Sequence, residues 1–371
     1  MALNYFLPKA IGWETTLACN MFCKHCGSIA GFEREKELST EAALDLCGQL
    51  DAFPDAHVTL TGGETLVRQD WQVITEDLIK RRGALGIISN GWNIDADLAR
   101  LLNEIQGIGK INIGLSLDGD EQRHDELRKP GSYERVLTAM DHLVQNNIAV
   151  SIITTINPGN LECLDHVRDI TLERGAYAWQ IQITSETGRA KENTSLVINR
   201  QQYRRVIETV AHYRRQMRDT RCLVFVADCL GYYGPTESDL RSRPWHGCHA
   251  GIRGFDVLSN GNVKGCLSLL DDTFIEGNVM ETPLKEIWHK KGAFSYNRDF
   301  SEDKLTGPCA KCKHGHICRG GCHSTAYFQL GTVYETAYCV YADDQGLFDE
   351  HTNKPPAKSP AGVQESQIGT R

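Results

Sequence analysis

Between residues 10 and about 218, short β-rich runs alternate with longer stretches of helical periodicity. Runs rich in Val, Ile, Leu and Thr over 10–17, 57–60, 84–89, 110–117, 148–156 and 178–184 read as strands. Each precedes an amphipathic stretch of helical length, at 40–51, 70–82, 94–105, 133–146, 161–174 and 200–218. Ser39 suits the N-cap of the first helix, and Glu41 is well placed in its first turn. Six strand–helix units predict an α/β fold with a parallel sheet and right-handed crossovers. A closed eight-unit barrel needs two more units, so the pattern predicts an open, partial (β/α)6 TIM-like barrel. Ligands gather in such folds where strands end and the following loops begin. Trp13, Trp179 and Tyr177 lie on or beside strands and read as core. Cys47 and Cys163 fall in helical patterns and read as buried apolar thiols.

After residue 218 the periodicity weakens and Gly, Cys and His become dense. Nine of the 14 cysteines lie at or beyond Cys222. Residues 219–352 therefore read as a small loop-rich module that needs metal to fold, following a barrel over 1–218. The stretch 353–371 is polar, with three prolines and no aromatics, and reads as a disordered tail. The net charge of −8, from 40 basic and 48 acidic residues, disfavours nucleic acid or an anionic membrane as partner. No signal peptide and no apolar run of membrane-spanning length is present, which points to the cytoplasm. In a reducing compartment, 14 thiols read as metal ligands rather than disulfides.

Chemistry concentrates at the strand ends. Cys19-x3-Cys23-x2-Cys26 falls in the loop after the first strand. Three thiolates fit an iron–sulfur cube with one iron left for a cofactor. After the second strand comes Thr61-Gly62-Gly63-Glu64, where adjacent glycines admit close backbone approach and Glu64 offers an acceptor. The third and fourth strands end in Ser89-Asn90-Gly91 and Ser116-Leu117-Asp118-Gly119, each an ordinary turn sequence on its own. Thr187-Gly188-Arg189 after the sixth places a guanidinium where it could clamp a carboxylate.

Taken in order, these positions resemble the radical S-adenosylmethionine (SAM) enzymes, over residues 10 to about 218. The resemblance implies that Cys19, Cys23 and Cys26 hold a [4Fe–4S] cluster whose open iron is chelated by SAM. Gly62, Gly63 and Glu64 would meet the methionine amino group, and Ser116 and Arg189 the methionyl part. His25 stands where the family often has an aromatic near the adenine; its plainer reading is a solvent-facing loop histidine. One-electron reduction of SAM would give a 5′-deoxyadenosyl radical that abstracts hydrogen from an unactivated carbon.

In the second module, Cys248-x12-Gly261-x4-Cys266 is followed by Cys309-x2-Cys312-x5-Cys318-x3-Cys322 and then Cys339. This spacing resembles the SPASM domain of radical SAM enzymes; a zinc ribbon is the alternative. The resemblance implies two auxiliary [4Fe–4S] clusters, three in all. Cys309, Cys312, Cys318 and Cys339 would hold the outer one, and Cys248, Cys266 and Cys322 the inner. Some relatives supply a fourth inner ligand a few residues after the first cysteine, where this chain reads His249-Ala250-Gly251-Ile252-Arg253-Gly254. Either Cys229 or Cys222 completes the inner cluster, or one iron stays open to substrate. Leu267 follows Cys266 where sulfatase-maturating relatives have a basic aspartate, which lowers the odds of formylglycine formation. His246, His249, His314, His316 and His323 read mostly as donors to cluster sulfurs or as solvent-exposed groups.

The resemblance implies an oxidoreductase acting on a peptide or protein. Its products would be a carbon–carbon or carbon–sulfur crosslink or a related dehydrogenation, with the auxiliary clusters accepting the electron left on the product. The alternative within the family is a small molecule, such as a tetrapyrrole or a redox-cofactor precursor. A non-catalytic iron–sulfur or zinc protein fits the ordered SAM-site turns poorly. Only 18 residues precede Cys19, so no peptide-recognition domain is expected there; a separate leader-binding protein and an electron donor such as flavodoxin or ferredoxin are the expected partners.

Overall fold

The computed structural model describes residues 6–107 and 109–348; the expected tail at 353–371 lies outside them. The six expected strands form as β1 (Ala10–Thr16), β2 (His57–Gly62), β3 (Ala84–Ser89), β4 (Lys110–Ser116), β5 (Ala149–Ile156) and β6 (Ala178–Ile183). Neighbours in sequence pair in parallel throughout. The sheet then extends at both edges. β7 (Leu223–Val226) pairs in parallel with β6. It is four residues long with two exposed apolar side chains, too short to register as a periodic run. On the other edge β8 (Gly254–Val257) pairs in parallel with β1, and β9 (Asn262–Lys264) and β10 (Ile275–Asn278) continue antiparallel. One ten-stranded sheet results, in the order β10-β9-β8-β1-β2-β3-β4-β5-β6-β7.

The helices of the barrel are α1 (Thr40–Leu50), α2 (Trp71–Arg82), α3 (Ala96–Gln106), α4 (Glu121–Leu127), α5 (Ser132–Gln145), α6 (Leu164–Glu173) and α7 (Arg200–Gln216), and short ones follow in the second module. Their starts follow the caps. Ser39 Oγ accepts from the Ala42 N–H, Asp95 caps α3 through the Leu98 N–H, and Asn199 with Gln202 forms a capping box on α7. The seven-residue α4, capped by Asp120, is too brief to show a period. The stretch 161–174 divides into a 3-10 turn and α6, with Cys163 as the N-cap of α6. Cys163 is therefore half-buried and faces Asp120 Oδ2 at 3.4 Å, not an apolar pocket. Cys47, Trp13 and Trp179 are buried as expected. Tyr177 is not core: it is 37 % exposed just before β6, and its hydroxyl meets Asn112.

Strand alternation separates core from cavity. In β5 and β6, Ile152, Ile156, Trp179 and Ile181 join the apolar core. Ile153, Thr155, Gln180 and Gln182 line an interior cavity.

The seam between β1 and β8 carries two carboxylates, Glu14 buried and Asp256 part-buried. Asp256 on β8 accepts from the Gly12 N–H at 2.8 Å and from the Leu267 N–H at 2.6 Å, beside Cys266. A side chain at Gly12 would lie 2.3 Å from Asp256 Oδ1, so only glycine leaves that carboxylate its place. Glu14 Oε1 accepts from Ser259 N–H and Oγ and also meets Arg34 Nε at 2.6 Å. Burial pushes the Asp256 carboxyl up to about 6. Asp256→Ala should strand two part-buried N–H donors and cost roughly 1–3 kcal/mol, read as a lowered urea midpoint. An unchanged midpoint would show the seam to be held elsewhere.

Candidate active site

A cavity of about 490 Å³ opens at the carboxyl ends of the parallel strands. It gathers Cys19, Cys23, Cys26, His25, Gly62, Gly63, Glu64, Ser116 and Arg189 from the barrel loops. Cys229, Cys266 and Cys322 line the same space. Cys248 is buried just outside it, its thiol within electrostatic reach of Cys322. Cys309, Cys312, Cys318 and Cys339 together line a second, apolar cavity. Cys222 stands before β7, at the strand end opposite Cys229, and is packed in the apolar core.

The cysteine loop after β1 is closed by backbone bonds from Gly31 N–H to the Leu17 carbonyl and from Cys19 N–H to the Gly31 carbonyl. The segment after β6 clasps it. Arg189 donates from Nε to the Cys23 carbonyl at 2.8 Å and from Nη1 to the Ala30 carbonyl at 2.9 Å. Its backbone N–H binds the Cys26 carbonyl. The guanidinium is thus committed to positioning the cysteines. Gly188, at φ +57°, lies so close that a Cβ would stand 2.3 Å from the Cys26 carbonyl oxygen.

Gly62 and Gly63 are held equally tightly. A Cβ on Gly63 would lie 2.1 Å from the Ala18 carbonyl oxygen, and one on Gly62 2.2 Å from that of Thr16. The pair lets the turn after β2 pack beneath the cysteine loop while its backbone faces the cavity. Glu64 is buried; Oε2 accepts from the Asn90 N–H at 2.7 Å and Oε1 from the Leu66 N–H at 3.3 Å. Burial outweighs these donors and pushes its carboxyl up to about 7.

Three residues here escaped the sequence as site members. Asn90 Nδ2 approaches Cys19 Sγ at 3.9 Å, and Arg128 Nη1 approaches Cys23 Sγ at 3.9 Å. Asp118 pairs with Arg128 Nε at 2.5 Å and accepts from the Thr155 N–H at 2.8 Å. Burial works against its charge, but Arg128, the nearby histidines and the Thr155 N–H hold its carboxyl below the usual range. Asn90 and Asp118 stood in the strand-end turns, where they signalled only loops. Arg128 follows the short α4 and carried no signal. His25 is in the cavity wall, not solvent-facing; burial lowers it to about 4, so the ring is neutral at pH 7.

The wall has unused polar capacity. His25 Nδ1 and the hydroxyls of Thr184, Thr187 and Thr325 are buried without partners, and all four residues line the cavity. Buried orphans of this kind fit a polar ligand. Burial also pushes Cys19 up to about 11, and Cys309 and Cys339 up to about 12. Thiols in such surroundings are inert unless a metal takes their protons. Among the described residues no three Cys, His, Asp or Glu side chains converge as a single-ion site. Of the module's histidines, His314 stacks on Tyr233 at 4.2 Å, His249 faces Asp228 at 3.3 Å and His323 is buried. His246 and His316 are exposed.

Residues 13–170 match the family model of the radical SAM superfamily, and residues 248–313 match SPASM, an iron–sulfur cluster-binding domain. The AdoMet-dependent heme synthase of Nitratidesulfovibrio vulgaris is 31 % identical over 357 residues, covering 90 % of this chain and 92 % of that protein. The mycofactocin maturase MftC of Mycolicibacterium smegmatis is 26 % identical, covering 86 % of this chain and 79 % of that protein. Streptococcus suis SuiB bound to S-adenosylmethionine shares the fold with a TM-score of 0.72 at 17 % identity, covering 89 % of this chain and 76 % of that one. The anSMEcpe structure with bound AdoMet gives 0.67 at 18 % identity, covering 91 % and 95 %. The chain belongs to the radical SAM superfamily and carries a C-terminal SPASM domain. It is a radical SAM enzyme, with an iron–sulfur-binding module joined to its barrel through one sheet.

Gly188→Ala should push the Cys26 carbonyl away and loosen the triad. The iron content of reconstituted protein is expected to fall below that of the unchanged protein, while the far-ultraviolet spectrum is retained. Full iron loading would show that the clasp tolerates the methyl group.

Proposed function

We propose that this chain oxidises a peptide or protein by hydrogen abstraction, forming a carbon–carbon or carbon–sulfur crosslink or a related dehydrogenation in ribosomal peptide maturation. One observation carries the oxidative part: a single cavity touches both the N-terminal cysteine triad and three cysteines of the distal set. When bound, SAM on a triad-held [4Fe–4S] cluster supplies a hydrogen-abstracting radical, and two auxiliary [4Fe–4S] clusters supply an electron sink.

The chain's own residues divide the remaining work. Cys19, Cys23 and Cys26 would hold the first cluster, with Asn90 and Arg128 donating toward two of the sulfurs. Gly62, Gly63 and Glu64 would receive the methionine ammonium, Ser116 would meet the methionyl part, and neutral His25 would stand near the adenine. Arg189 serves by fixing the cysteine loop. Cys248, Cys266 and Cys322 would hold the inner auxiliary cluster, and Cys309, Cys312, Cys318 and Cys339 the outer.

The peptide assignment draws on the likeness to a maturase and on the cavity's charge. Both lining guanidiniums are already engaged, Arg128 by Asp118 and Arg189 by two carbonyls. The remaining wall is rich in hydroxyls and amides, which suits neutral peptide groups. A tetrapyrrole substrate is the second reading, favoured by the 31 % identity to the heme synthase. A separate leader-binding protein and a flavodoxin or ferredoxin donor complete the proposal. Among the described residues no helix is long and apolar enough to cross a membrane; the cytoplasm is the compartment proposed.

Anaerobic reconstitution should give about twelve irons, three cubes of four, with 5′-deoxyadenosine formed on reduction. A candidate precursor peptide should then lose two hydrogens by mass. An iron coproporphyrin consumed in its place would move the assignment to the second reading. Zinc, or iron without 5′-deoxyadenosine, would sink both. Glu64→Gln removes the charge of the ammonium acceptor and should weaken SAM binding by about tenfold or more, since a charge-assisted hydrogen bond is worth roughly 1.5–3 kcal/mol. Equilibrium dialysis reads the effect; an unchanged dissociation constant would move the ammonium elsewhere.

A further inference from the structure

The inner set has three cysteines in the module, and the structure offers a fourth from the barrel. β7 delivers Ala227-Asp228-Cys229 to the same strand ends that carry the SAM-site turns, with the Ala227 N–H still bonded to the Ile181 carbonyl. Cys229 is 9 % exposed and lines the cavity together with Cys266 and Cys322. Burial, with a further push from the nearby Cys322, raises its thiol to about 12.

The turn is tied directly to Cys322. The Tyr232 hydroxyl donates to the Asp228 carbonyl at 2.6 Å and accepts from the Cys322 N–H at 3.1 Å. Its ring packs over Gly321, where a Cβ would stand 3.1 Å from it. On the barrel side, Tyr203 Oη accepts from the Gly231 N–H at 2.9 Å and reaches the Cys229 carbonyl at 3.3 Å. Two buried tyrosines thus fix the Cys229 turn against Cys322. Asp228 turns its carboxylate outward to His249 Nδ1 at 3.3 Å, and that side chain is 42 % exposed.

The stretch where relatives place a fourth ligand is closed to one here. It is a tight turn, with the Gly251 N–H bonded to the Gly254 carbonyl and the Arg253 and Gly254 N–H groups bonded to the His249 carbonyl. A Cβ on Gly251 would lie 2.4 Å from Phe294. Cys222 is at the wrong end of β7.

We propose that Cys229, delivered by the barrel, is the fourth protein ligand of the inner auxiliary iron–sulfur cluster, so that this cluster has no iron open to substrate. This rests on the reading above that the module holds two cubes. It implies that substrate is held by the hydroxyl- and amide-rich cavity wall and not by a bond to iron, so a substrate thiol is not required for binding.

The test uses the full chain with Cys19, Cys23 and Cys26 replaced by alanine, leaving only the module's clusters. Anaerobic reconstitution should give about eight irons, two cubes of four; a much lower value would sink the two-cluster reading itself. Carbon-13 cyanide is then added to the reduced protein and its hyperfine coupling sought in the electron paramagnetic resonance of the clusters. No coupling is expected. With Cys229→Ala added, iron should drop to about four, or stay near eight with cyanide now coupled to one cluster. Cyanide coupling without the Cys229 change would overturn the proposal, as would iron content and spectrum untouched by that change. Should the alanine variant fail to fold by circular dichroism, Cys229→Ser keeps an oxygen ligand in place. It should retain about eight irons with a shifted signal; an unshifted signal would also overturn the proposal.

Discussion

Four backbone positions of β1 pair with β8, and the register there is pinned by a carboxylate filling the space a side chain at Gly12 would need. Asp256 spends one oxygen on β1 and the other on the residue after Cys266. A slip of one residue would turn that carboxylate to the opposite face of the sheet and leave two part-buried donors empty. The position of Cys266 is therefore set by the same group that sets the sheet. Because β1 also launches the Cys19–Cys26 loop, one strand fixes both ends of the cavity.

The barrel was legible because its signals are periodic. Strands of six to eight residues and capped helices announce themselves, and the six expected units form with boundaries shifted by only a few residues. What stayed hidden was short or distant. β7 has four residues, and β8 pairs across more than 240 positions with a strand whose sequence gives no hint of that partner. The cysteine spacings divide the distal thiols into two groups, and the four of the outer group line one cavity. The role of Arg189 was harder to read. A guanidinium at a strand end looks like an anion clamp, and only the coordinates show its donors already spent on two carbonyls. Arg128 and Tyr232 were invisible for a related reason: each acts through groups about 90 or more residues away.

The electrostatics of the cavity are those of a place made for a polar, iron-bearing guest. The thiols of Cys19, Cys23, Cys229, Cys266 and Cys322 are desolvated and pushed upward, its one histidine is neutral, and its buried cation–anion pair, Asp118 with Arg128, is internally balanced. Such a wall adds little net charge of its own. Charge brought in by thiolates on iron is met by Arg128 and Asn90, whose donors already point at sulfur.

The clasp of Arg189 on the cysteine loop has a consequence for how the protein is made. The triad is among the first parts of the chain to leave the ribosome, yet the groups that hold its loop arrive more than 160 residues later. Cys322, tied through Tyr232 to the end of β7, is later still. Domains generally fold as units during synthesis, from the amino end. Here the first-made thiols lack their clasp until about half of the chain exists. A cluster held by these thiols would be built only after the segment following β6 has been made, and expression that outruns the supply of iron would leave the early thiols waiting longest in contact with oxygen.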